Sequence, residues 1–108
     1  MLDIYYAPPS TLSVPEAPGQ LEFAGSIDLD AHRALVALFE TGRHAGADLQ
    51  YFRDSMLNPV QVTILLQTFT ANAPELQANR QSLAAFDAVR DLLEEAASRG
   101  VGLVAFSD

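Results

Sequence analysis

The chain has no cysteine, no lysine and no tryptophan among its 108 residues. Without cysteine it can form no disulfide, no thiolate zinc site and no Cys nucleophile. Without lysine, its positive charge rests on six arginines set against 14 acidic residues, a formal net charge of -8. That balance repels phosphate backbones and anionic lipid surfaces, so neither nucleic acid nor a membrane is expected as a partner. No apolar run approaches the length of a membrane span. Residues 1–9 have neither the basic start nor the unbroken apolar stretch of a signal peptide, so cytoplasmic residence is the expectation. No Gly-x-Ser-x-Gly turn occurs, which leaves every serine without the sequence context of a hydrolase nucleophile. Gly100-Val101-Gly102 precedes a strand pattern instead of opening a helix, the reverse of a phosphate loop.

What is present suits a single domain over residues 1–108. Its 49% hydrophobic content is enough for one continuous core. Leu2, Ile4 and Tyr6 alternate with Asp3, Tyr5 and Ala7, the period of a half-buried strand, and Pro8 and Pro9 end it. Residues 8–19 hold four of the six prolines, which predicts an extended loop unable to join a ladder. A short strand is expected over residues 20–24, closed by Gly25 and Ser26. Asp28 or Asp30 then caps a helix carrying Ala31, Ala34, Leu35, Leu38 and Phe39 at helical spacing, and Gly42 is read as its stop.

Leu49, Tyr51 and Phe52 predict a strand over residues 48–54. Asn58-Pro59 with Gln61 is a capping-box signature for a second helix through Val62, Leu65, Leu66 and Phe69, ended within residues 70–74. A third helix over residues 82–99 carries an apolar stripe of Leu83, Phe86, Val89, Leu92, Leu93 and Ala96, with Asp87, Arg90, Asp91, Glu94 and Glu95 outward. Gly100 stops it. The closing run, residues 101–106, is almost wholly apolar and fits a strand placed centrally or covered on both faces. The fold class is therefore α+β: a four-stranded mixed sheet with three helices in the order β-β-α-β-α-α-β. One-helix crossovers would make the last three strands parallel, with the first antiparallel to a neighbour.

Asp28-Leu29-Asp30-Ala31-His32 is the segment that most resembles a metal site, since two carboxylates and an imidazole stand close together. Acids at a helix N-terminus are explained by capping and the helix dipole, so no metal and no cofactor is expected, and His32 is read as a surface residue of helix one. His44 falls in a flexible Gly-containing connector. Glu94 and Glu95, adjacent on a helix, diverge and cannot act as an acid and base pair. No catalytic residue is assigned, and the chain is read as a non-enzymatic domain.

A binding surface has better support. If Leu2, Ile4 and Tyr6 point inward, Asp3, Tyr5, Gln20 and Glu22 share the opposite face of the sheet, joined by Gln50 and Phe52. The result is a patch of carboxylates interleaved with aromatics. Asp3, Tyr5, Glu22, Gln50 and Phe52 are therefore the candidate partner-binding residues.

The stretch Tyr51-Phe52-Arg53-Asp54-Ser55-Met56-Leu57-Asn58-Pro59-Val60-Gln61-Val62, a long helix ending Glu94-Glu95-Ala96-Ala97-Ser98-Arg99-Gly100, and the closing strand with Ser107-Asp108 resemble small bacterial immunity proteins of polymorphic toxin systems. The resemblance spans about the last half of the chain. It implies a cytoplasmic protein that neutralises a toxin by covering its active site, with acidic residues facing a basic cleft in some members. Barstar-type inhibitors share the acidity and the helix-then-strand ending, but their tyrosine-glycine-asparagine stretch is missing here, and no residue role is carried over. The leading expectation is a cytosolic protein-binding domain, an immunity-like inhibitor whose partner is a basic toxin domain. The alternatives are a secretion chaperone or homodimeric accessory protein, and a small ligand-binding domain or enzyme with His32 or His44 in an apolar pocket.

Overall fold

The structure is a computed structural model describing residues 1–72 and 80–107. It contains β1 (Leu2–Ala7), β2 (Phe23–Ile27), α1 (Leu29–His44), β3 (Ser55–Leu57), α2 (Pro59–Asn72), α3 (Arg80–Arg99) and β4 (Gly102–Ser107). This is the α+β order read from the sequence. The strands form one sheet in the order β2-β1-β4-β3.

Every pairing in that sheet is antiparallel, which corrects the mixed sheet expected above. The expectation assumed one helical pass between strands, whereas both connections make two. Between β3 and β4 the chain goes out along α2 and back along α3, and the two helices pack on each other. Between β2 and β3 it goes along α1 and returns through residues 45–54. That return segment also explains the misplaced strand. Ala47, Leu49 and Tyr51 are buried at period two, while Asp48 and Gln50 are half-buried between them, so the segment has a strand's alternation but no ladder partner. The place beside β4 goes to Ser55–Leu57 instead, with Leu57 opposite Leu103.

β2 also lies later than expected. Ile27 is buried opposite Leu2, and Gly25 sits inside the strand opposite Ile4, beneath Leu92 of α3. Gly25 and Ser26 therefore belong to the ladder and do not end it. The register shifts between Ile4 and Tyr5, so that Tyr5 faces Phe23. The proline-rich loop joins no strand, as expected, and is folded by turns from Thr11 N–H to Pro8 O and from Leu21 N–H to Pro18 O.

Asp28 caps α1, its carboxylate accepting from Ala31 N–H at 2.7 Å. The helix runs past Gly42 to His44 and ends where Gly46 takes φ 105°, a conformation other residues avoid. Gly42 is present for another reason: α2 passes so close that Leu65 occupies the space a side chain would need. His44 thus ends a helix and is not part of a free connector. The capping box of α2 forms as expected, with Asn58 and Gln61 exchanging backbone-to-side-chain bonds of 2.8 Å. Pro74, within the expected end of that helix, lies outside the described residues. Gly100 at φ 68° stops α3.

Leu2, Ile4, Ile27, Leu57, Leu103 and Ala105 line the helix-facing side of the sheet and join Leu35, Leu65, Phe69, Phe86 and Leu93 in one core. Phe39, Phe69 and Phe86 run through it as neighbouring rings at 5.7 and 5.4 Å. Leu83, assigned to the inward stripe of α3, is 37% exposed.

Candidate functional site

The strand register decides what each face of the sheet presents. Residues opposite one another in a ladder share a face. Asp3 therefore stands beside Ser26 and Phe106, and Tyr5 beside Phe23 and Val104, with Met56 next in the same row. None of these belongs to the core shared with the helices. All three helices stack on the other side, and the fold has two layers.

The Tyr5 ring meets Phe23 at 5.3 Å and Phe106 at 5.8 Å, both edge to face. Val104 is fully buried in their row, and Phe23 is 53% exposed. Asp3 accepts from Ser26 Oγ at 2.8 Å, and Asp54 at the entrance to β3 accepts from Ser107 N–H at 2.8 Å. Two carboxylates are thus fixed near an aromatic row. The strands contain no arginine or histidine, and Asp3 is the one charged residue they contribute. The face is apolar and aromatic at its centre and negative at one end.

Of the five partner-binding residues read from sequence, Asp3 and Tyr5 come together here and the other three do not. The Glu22 carboxylate meets Arg99 of α3 at 3.0 Å. Arg99 also holds Glu95 at 2.8 Å and lies over the Tyr6 ring at 4.4 Å, so Glu22 serves the helix-facing side. Partial burial raises the Tyr6 phenol above its usual value, against the lowering effect of Arg99. Gln50 and Phe52 lie off the sheet altogether, in the return segment. Phe23, Phe106 and Met56 were missed. The detectable signal was alternation within β4, where Val104 and Phe106 face away from Leu103 and Ala105; an all-apolar run conceals that period.

Gln50 and Phe52 line a second feature, a concavity of about 480 Å3 between α1 and the return segment. His32, Val36, Phe39, Leu49 and Tyr51 form its apolar wall, with Glu40, Arg43, Asp48 and Arg53 at its rim. His32 is not the plain surface residue expected. Its ring lies parallel to Tyr51 at 4.6 Å, and Phe52 stands at 83° to it, 5.7 Å away. Burial, and then the Arg33 guanidinium, lowers the imidazole pKa below its ordinary 6.5, which favours the neutral ring.

Among the described residues no group of three His, Cys, Asp or Glu side chains is placed to hold a metal ion. Among them, too, no helix is long and apolar enough to cross a membrane. Comparison with protein-family models, curated proteins and solved structures gives no match.

Proposed function

We propose that this chain is a non-enzymatic binding domain that docks a basic protein against the Tyr5, Phe23 and Phe106 face of its sheet. The observation that carries the reading is that face itself: an aromatic row with no helix over it among the described residues, flanked by Asp3 and Asp54 and lacking any strand cation. Aromatic side chains offer large contact area at low entropic cost and dominate binding energy where they cluster. Flanking carboxylates in a chain of net charge -8 steer a basic partner and repel an acidic one, including a second copy of this chain. A basic toxin domain, the partner implied by the immunity-protein resemblance, has the required chemistry.

The test is retention of proteins from a host extract on the immobilised chain at low salt, followed by rebinding of the purified partner. We expect a basic protein that is released as salt rises and is not retained by the Phe23→Ala/Phe106→Ala variant. Equal retention by that variant, or binding insensitive to salt, would refute the reading. A concentration-dependent dimer in light scattering that the same substitutions abolish would favour the homodimeric alternative.

A further inference from the structure

The concavity between α1 and residues 47–53 is separate from the sheet face and has a different chemistry. We infer that it is a binding site for a small planar aromatic carboxylate, held flat against the Phe52 ring with its edge toward the His32 ring and its anionic end on Arg53. The volume of about 480 Å3 falls in the range of small-molecule sites. Shape and free valences narrow the ligand further.

The aromatic groups form a corner. His32 and Tyr51 stack with an interplanar angle of 19°, and Phe52 stands nearly perpendicular to both, at 83° and 85°. Phe52 is 74% exposed although its neighbour Tyr51 is buried, so one ring face is left for a planar body to cover. Offset stacking and edge contacts in such a corner select flat rings over branched aliphatics.

The polar groups then set the sign of charge. Each rim carboxylate already has a partner within the chain: Glu40 binds Arg43 at 2.7 Å, and Asp48 accepts from Gln50 Nε2 at 2.8 Å. Among the described residues Arg53 has no hydrogen-bond or ion-pair partner. The ring nitrogens of His32 likewise have none among the described residues. A forked cationic donor and an imidazole thus stand without a partner among the described residues, beside an exposed aromatic face. A ligand must supply acceptors and negative charge to complement that set, and a carboxylate matches the guanidinium fork in both.

Isothermal titration with 2-naphthoate, and with neutral 2-naphthamide of the same shape, tests this. Binding of 2-naphthoate is expected at a Kd of about 1 mM or tighter. The amide should bind about tenfold more weakly, and so should the acid to Arg53→Gln or Phe52→Ala, since one charge-assisted bond or one well-placed ring is worth about that factor. Both substituted side chains are exposed, so the variants keep the fold. The His32 ring protons should move on binding in the wild-type NMR spectrum, while Phe23→Ala leaves the affinity unchanged. No binding by the wild type would overturn the site. Equal affinity for acid and amide would overturn the anionic assignment, and binding unaffected by both substitutions would place the probe elsewhere.

Discussion

Gly42→Ala sets two effects of known size against each other. In an exposed helix interior the change stabilises by about 1 kcal/mol, because alanine loses less backbone entropy. Here the added Cβ would stand 2.5 Å from Leu65 Cδ1 and 3.3 Å from the Ala47 carbonyl oxygen. Carbon atoms in contact sit at about 3.5–4.0 Å, so Leu65 must retreat by about 1 Å. It is fully buried in the core, and protein interiors are close-packed. Overpacking of this kind costs about 1–3 kcal/mol. Because the helix ends two residues later at His44, the propensity gain falls below its interior value, and the steric cost wins. We expect a net loss of about 1 kcal/mol, read as a lower urea midpoint at unchanged slope and a melting temperature lower by about 4–8 °C. In a Leu65→Ala background the obstacle is gone, and the same substitution should be neutral or stabilising. A Gly42→Ala protein more stable than the wild type, or an equal cost in both backgrounds, would refute the close α1–α2 packing.

Asn58→Ala removes the side-chain acceptor for Gln61 N–H at the start of α2, leaving the backbone N–H of residue 58 to donate to Gln61 Oε1, and should cost about 1 kcal/mol by urea unfolding, whereas Val60→Ala on the exposed side should cost less than half of that. The lowered His32 pKa makes stability depend on pH in a defined direction. The unfolded chain binds that proton more readily than the folded one, so this contribution is fully present above the unfolded value of about 6.5. It is lost as pH falls from there toward the folded value, then levels off. His32→Asn should remove that part of the decline, and urea midpoints measured across the range for both proteins check it.

Much of the fold was legible because its local signals were strong. The Asn58-Pro59-Gln61 cap, Gly100 and the stripe through Phe86, Val89 and Leu93 each have one physical reading, and the structure adopts it; of the two caps offered for α1, Asp28 and Asp30, it uses Asp28. Direction in the sheet was not legible, because it depends on how many passes a connection makes, and residues 45–54 make a pass without being a strand or helix. Their alternating burial is a strand's pattern produced by a segment wedged against the core. Gly42 looked like a helix stop because sequence cannot distinguish a glycine needed for chain reversal from one needed for a close crossing.

The candidate surface was half visible. Asp3 and Tyr5 followed from alternation in β1, but Phe23 and Phe106 become their neighbours only through ladder register, which the bulge between Ile4 and Tyr5 shifts. Glu22 was drawn away by Arg99, a contact between residues far apart in the chain. The His32 corner depends on the return segment folding back over α1, a tertiary event with no local signature.

The most direct test of the account is the footprint on this chain of the protein it retains, mapped by backbone amide shifts at low salt. The changes should fall on Asp3, Tyr5, Phe23, Val104 and Phe106, and fade together as salt weakens the complex. A footprint confined to the outer surfaces of α1 and α3, with the strands silent, would contradict it.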